Sequence, residues 1–202
     1  MYVRSVTFEG VSDLDALVVH LDTQALPRLT QAPGFRAVSA SADRAARKAS
    51  VLTTWETEKD LDASEALALD GSRQALQAMG GRTVPFRRFE LLYDEIGDKP
   101  PTPGCALVVT TTKMDPAKVD TNLAQFRSEV LPTIRASRGF RAARSLINRE
   151  TGEGRVGTVW EDEVCLGQWL DRADQLRTDL STSVDIEFGD RFRLEVVYSH
   201  LS

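Results

Sequence analysis

Apolar and polar positions follow two rhythms along this chain, a period of two and a period near 3.6, and the rhythms change over in a fixed order. Tyr2–Glu9 alternates and is rich in Val, Thr and Phe, which predicts a strand. Ser12 offers an N-cap with Asp15 as its capping-box partner. Leu14, Leu17, Val18, Leu21 and Ala25 follow at helical spacing, and Pro27 ends or kinks that helix. Pro33-Gly34 turns the chain into a second strand, Phe35–Ala42. A polar connection, Asp43–Lys48, leads to a third, Ser50–Glu56. Thr57 caps a second helix that runs to about Met79, where Gly80-Gly81 stops it. Val84–Glu95 reads as a long fourth strand.

The rest of the chain repeats this order. Cys105–Lys113 is a predicted strand. Asp115 caps a helix with Pro116 in its first position and Val119, Leu123, Phe126 and Val130 as its apolar stripe. Gly139–Ile147 and Arg155–Trp160 are strands on either side of the turn Asn148–Gly154. Asp162 caps a second helix, with Leu166, Trp169, Leu170, Ala173 and Leu180 recurring. Phe192–Leu201 is the last strand.

The repetition extends to residue identity. A single offset of 105 converts Leu26-Pro27 into Leu131-Pro132, Gly34-Phe35-Arg36-Ala37 into Gly139-Phe140-Arg141-Ala142, and Trp55-Glu56 into Trp160-Glu161. It also converts Arg88, Glu90 and Tyr93 into Arg193, Glu195 and Tyr198. A repeat of this length is domain-sized rather than a solenoid unit. The expected domains are residues 1–96 and 105–202, joined by a Pro-rich linker at 97–104. Each half reads β-α-β-β-α-β, the ferredoxin-like order. The expected fold is therefore α+β, with two tandem ferredoxin-like domains whose sheets cover each other as an intramolecular pseudo-twofold dimer. Further homodimerisation stays open.

Composition narrows the function classes. The chain has 202 residues, 42% hydrophobic and 27% charged, and a net charge of −5. The charge is shared evenly between the halves, and neither carries the basic footprint of a nucleic-acid binder. No apolar run reaches the ~20 residues of a membrane span, and no export signal is visible at Met1-Tyr2-Val3-Arg4. These observations point to a cytoplasmic protein with neither nucleic acid nor membrane as partner. In that setting Cys105 and Cys165 read as thiols rather than a disulfide.

Candidate chemistry is sparse. No His or Cys spacing matches a metal site, and neither a phosphate loop nor a Gly-x-Ser-x-Gly elbow is present. Arg36 and Arg141 read either as surface arginines, with Glu90 and Glu195 as candidate partners, or as cations for a phenolate or carboxylate. Tyr93 and Tyr198 alternate onto the face of Leu91 and Val196. His20 and His200 are the two histidines. His200 shares a sheet face with Tyr198, and histidine is the residue type suited to proton transfer at neutral pH.

The βαββαβ order, the Pro-Gly-Phe-Arg and Arg-Gly-Phe-Arg turns, and Trp-Glu closing the third strand resemble the antibiotic biosynthesis monooxygenase-like family of the dimeric α+β barrel superfamily. The resemblance covers both halves. It implies an α+β barrel formed by the two repeats and an aromatic substrate between sheet and helices. Some members are cofactor-independent oxygenases of aromatic polyketides or quinols, some degrade haem, and some have no known activity. In the oxygenases a tryptophan at the end of the third strand belongs to the active site, which implicates Trp55 and Trp160. The same two residues also read as core. Val51 and Val156 stand where the oxygenases have an asparagine, and Leu61 and Leu166 where they have a tyrosine. Neither second helix carries the histidine that binds haem, so no cofactor is expected. The resulting expectation is a monooxygenase-like protein for a small apolar or aromatic molecule. Trp160, Tyr198 and His200 are its catalytic candidates; Trp55, Tyr93, Arg36 and Arg141 are its binding candidates. The competing expectations are a non-catalytic binding or stress-associated protein and, less favoured, haem bound by an atypical ligand such as His200.

Overall fold

The computed structural model describes residues 1–180 and 186–201, with the side chains of 176–180 excepted. Its element order is βαββαβ twice, an α+β fold. Strand β1 is Tyr2–Glu9, β2 is Phe35–Asp43 and β3 is Lys48–Trp55. Helix α1, Leu14–His20, is capped by Asp13, whose Oδ1 accepts the Ala16 N–H at 2.9 Å. The expected cap, Ser12, instead donates its hydroxyl to the Met79 carbonyl at 2.7 Å. The helix runs through a π turn, Leu21–Ala25, into α2, Leu26–Leu29. Pro27 cannot donate to the carbonyl four residues back, so the ladder changes register ahead of it. The same break recurs at Phe126–Val130 before Pro132, between α5 (Val119–Gln125) and α6 (Leu131–Arg135).

Two expected elements are divided. The second helix breaks at Ser64 into α3, Glu58–Ala63, and α4, Glu65–Met79. The Ser64 hydroxyl donates to the Leu61 carbonyl at 2.7 Å there, competing with the helical ladder. The expected strand Val84–Glu95 becomes β4, Arg82–Thr83, and β5, Arg87–Ile96, because Pro85 cannot donate to a ladder. The remaining strands are β6, Ala106–Met114, β7, Phe140–Ile147, β8, Glu153–Trp160, and β9, Ile186–Leu201. Asp115 caps a short 3-10 turn, Pro116–Lys118, ahead of α5. Asp162 accepts the Cys165 N–H at the start of α7, Glu163–Leu180. Leu180, expected in that helix's apolar stripe, lies outside the described side chains. No described helix is long and apolar enough to cross a membrane.

The chain divides into two compact units, one of Met1–Phe89 with Glu195–Ser202 and one of Glu90–Leu194. In unit 1, β3 pairs antiparallel with both β1 and β2, and β2 pairs with the Glu195–Leu201 part of β9. In unit 2, β8 pairs with β6 and β7, and β7 pairs with the Glu90–Ile96 part of β5. Thus the tyrosine that ends each repeat belongs to the other repeat's unit: Tyr198 packs in the unit 1 core and Tyr93 in the unit 2 core.

The repeated Gly-Phe-Arg and Trp-Glu motifs form one device in each unit. Gly34 and Gly139 have φ of +73° and +76°, a conformation that favours glycine. Their carbonyls accept the N–H of Glu56 and Glu161, both at 2.7 Å. Phe35 meets Trp55 edge-on at 5.6 Å, and Phe140 meets Trp160 at 6.0 Å. A bulge between Phe35 and Ala37, and another between Phe140 and Ala142, makes the arginine the extra residue. Arg36 then pairs with Glu56, and Arg141 with Glu161 at 3.2 Å. Glu90 and Glu195, the expected partners, are engaged by Arg149 and Arg44. The bulges turn Arg36 and Arg141 toward the end of the neighbouring strand and away from those glutamates.

Candidate functional site

Each unit has a cavity between its sheet and its helices. The unit 2 cavity has a volume of about 150 Å³ and is lined by Tyr93, Phe126 and Trp169 with aliphatic neighbours such as Val108, Leu123 and Leu170. Its polar lining includes Thr110, Thr112, Asn122, Ser145 and Thr158. The unit 1 cavity is about 70 Å³. Register explains much of the difference. Phe8 faces Ala49 across β1 and β3, and Thr112 faces Gly154 across β6 and β8. Ala49 and Gly154 are equivalent positions, so a phenylalanine fills in unit 1 the space that a threonine leaves in unit 2.

Tyr93 and Phe126 stack with centroids 5.0 Å apart. Burial raises the Tyr93 pKa far above the ordinary tyrosine value, against an opposing pull from Arg127. Its buried hydroxyl has no hydrogen-bond partner among the described residues. Arg191, at the cavity wall, pairs with Asp174 at 2.7 Å. Among the described residues the lining contains no carboxylate, imidazole, amine or thiol. Cys105 and Cys165 are buried free thiols. Among the described residues no group of three or more His, Cys, Asp or Glu is placed to hold a metal ion.

The three residues expected to act together are divided. Trp160 is fully buried in the unit 2 core, stacked on Trp169 at 5.2 Å, with Nε1 donating to Thr158 Oγ1 at 2.9 Å. It supports the cavity from behind, and Trp169 lines it. Tyr198 and His200 belong to unit 1, on the segment of β9 that pairs with β2. Tyr198 donates to Asp22 Oδ1 at 3.2 Å, and burial, reinforced by Asp22, raises its pKa. The structure does bring Tyr93 and Trp160 into one core cluster. Trp55 lines the unit 1 cavity and donates to Thr53 Oγ1 at 3.1 Å. Arg36 and Arg141 are held at the strand bulges, outside the lining of either cavity.

Two residues escaped the sequence reading. Trp169 reads in the sequence as part of a helical stripe and as a break in the internal symmetry, not as a site residue. Arg4 sits on β1 with Val6 and Phe8 at a period of two, and a charge on that apolar face was the available signal. Arg4 is 3% exposed and lines the unit 1 cavity.

The architecture has close counterparts among solved structures. A "Putative monooxygenase" from Fusobacterium nucleatum superposes with a TM-score of 0.70 at 12% identity, over 99% of this chain and 94% of that one. The chain shares the fold of that protein. A second "putative monooxygenase", from Lactobacillus acidophilus, gives 0.66 at 8% identity, over 99% and 96%. An anthrone oxidase-like protein gives 0.64 at 13%, over 99% and 93%. In sequence, the chain is similar to the uncharacterized proteins Rv2558 and Rv2557 of Mycobacterium tuberculosis. Rv2558 is 26% identical over the whole of this chain and 85% of its own length. Rv2557 is 23% identical over the whole of this chain and 89% of its own length. No family model matches the chain.

Proposed function

We propose that this chain is a monooxygenase-like protein, built as a tandem pseudo-twofold pair of ferredoxin-like repeats, whose unit 2 cavity receives one aromatic ring of a small, largely apolar substrate. The observation that carries the reading is the cavity of about 150 Å³ walled by Tyr93, Phe126 and Trp169. A space of roughly 150 Å³ accommodates benzene. The Tyr93 hydroxyl, lacking a partner among the described residues, is available to donate to a substrate oxygen.

The chemistry that suits such a site needs no resident cofactor. An activated methylene or quinol loses a proton, and the resulting anion passes electrons to O₂. For a methylene, carbon gains one oxygen as a ketone and the second oxygen leaves as water with the two displaced hydrogens; a quinol gives two electrons and two protons to O₂, leaving a quinone and H₂O₂. The protein excludes water and orients the ring. Because the described lining offers no proton-accepting side chain, the substrate that suits the site is one acidic enough to ionise in solvent before it enters. That same lining favours one alternative, a non-catalytic carrier of the same ring.

The test combines tryptophan fluorescence titration with anthrone- and quinol-type compounds and oxygen-electrode measurement of uptake. Thr112→Phe supplies in unit 2 the side chain that unit 1 carries as Phe8. Saturable binding with O₂ uptake, both lost in Thr112→Phe, supports the enzyme. Binding without uptake selects the carrier. Absence of binding overturns both readings.

A further inference from the structure

We propose that the unit 1 cavity is a second, chemically different site, which holds the carboxylate of a short-chain apolar acid against the guanidinium of Arg4. This site is independent of the aromatic cavity in unit 2.

The argument begins with an unbalanced charge. Arg4 is 3% exposed and lines the cavity of about 70 Å³. Its Nη1 donates to Ser64 Oγ and its Nη2 to the Leu61 carbonyl, both at 2.7 Å. Those acceptors are neutral. Arg4 forms no ion pair among the described residues; Glu65 acts on it only through its field, and Arg88 opposes that field. A guanidinium carries five N–H donors, so donors remain after these two bonds. A buried cation without a counter-ion is costly, and an anion in the adjoining space removes the cost.

The remaining lining suits a carboxylate with a short hydrocarbon tail. His20, 7% exposed, Ser72 and Arg28 supply polar groups, while Leu17, Leu21 and Trp55 supply apolar wall. The volume is about half that of a benzene-sized cavity. It admits the carboxylate and first carbons of a short-chain acid, such as acetate or propionate, and excludes an aromatic acid.

Comparison of the units strengthens the assignment. Arg4 faces Thr53 across the ladder, and Val108 faces Thr158. Thr53 and Thr158 are equivalent positions, so valine occupies the Arg4 position in unit 2. Ser64, the Arg4 partner, is replaced there by Trp169. Cation and acceptor are absent together in unit 2 and present together in unit 1, as expected if they serve one ligand.

The test uses the whole chain and sodium propionate, with sodium chloride holding ionic strength constant. Thermal unfolding and the imidazole NMR signals of His20 are followed together. The wild type is expected to show a saturable rise in Tm and a saturable shift of the His20 signals. Arg4→Lys should weaken apparent affinity by about tenfold, because a single ammonium replaces a two-pronged donor, and Arg4→Met should abolish the response. Thr112→Phe, altered only in unit 2, should respond like the wild type, so failure of the aromatic site leaves this result readable. If the His20 signals of the wild type stay fixed as propionate increases, the site does not exist. If Arg4→Lys, folded and soluble, responds as strongly as the wild type, Arg4 only caps helix α3.

Discussion

Tyr198 donates its phenol to Asp22 Oδ1 at 3.2 Å, and the residue that replaces Asp22 in the second repeat is Arg127. Arg127 turns its Nη2 to the Leu92 carbonyl at 3.1 Å, and Tyr93, the counterpart of Tyr198, keeps a buried hydroxyl with no acceptor among the described residues. One substitution between repeats thus converts a satisfied structural tyrosine into an unsatisfied one beside a cavity.

The two tyrosines should respond oppositely to loss of the hydroxyl. Tyr198→Phe removes a hydrogen bond to a carboxylate and is expected to lower stability by about 1–2 kcal/mol. Tyr93→Phe removes a buried unsatisfied group and is expected to leave stability unchanged or raise it by about 1 kcal/mol. Urea denaturation measures both. Ligand titration of Tyr93→Phe should show weakened binding of aromatic compounds that present an oxygen acceptor.

Alkali should destabilise the fold through these same phenols. Burial raises the pKa of both Tyr93 and Tyr198. Above the unfolded tyrosine value of about 10, the unfolded chain releases protons that the native chain retains, so stability falls as pH rises. Their contribution is fully present below pH ~10 and is lost progressively above it. Tyr93→Phe should flatten this decline, as followed by denaturant midpoints across the alkaline range.

His20 governs the acid side. Its pKa is lowered by burial, an effect aided by Arg28 and opposed by a hydrogen bond to the Gly71 backbone. Below the unfolded value of about 6.5, the unfolded chain binds a proton that the native chain resists, so stability falls with falling pH. His20→Gln places there the residue that the second repeat carries as Gln125. The variant should fold and should lose that part of the acid dependence, as read from urea midpoints between pH 7 and 5.

Gly139 should tolerate no side chain. A Cβ there would lie 2.5 Å from Cys165 Sγ, at a φ of +76°. Gly139→Ala is expected to cost about 1–3 kcal/mol from strain and clash together. Adding Cys165→Ala should recover only the Sγ part, because the Cys165 Cβ would still lie 2.8 Å away. A double-mutant cycle by chemical denaturation separates the Sγ contact from the remaining strain.

Much of the architecture was legible because local patterns and tertiary structure agree. The order of elements and the repeated Gly-Phe-Arg and Trp-Glu motifs follow from period, turn chemistry and self-comparison. Local patterns failed where distant backbone decides. Trp160 and Tyr198 are one repeat's residues in sequence, yet the β9 segment carrying Tyr198 pairs with β2 and belongs to unit 1. No periodicity within a strand specifies which edge it joins. Arg4 was overlooked because strand propensity treats a single charge as an exposed position, and its burial depends on Ser64 and Leu61, about sixty residues away. Pro85 carried its own warning, and the break between β4 and β5 was readable from it.

The placement of Glu195–Leu201 in unit 1 has a consequence for biosynthesis. On the ribosome, residues 90–194 all emerge before the segment that flanks β2. The unit started first therefore finishes second, and β2 presents an unoccupied edge throughout translation of its neighbour. Such an edge invites pairing with another nascent chain. Translation speed and chaperone occupancy, more than native stability, should then decide the yield of correctly assembled molecules.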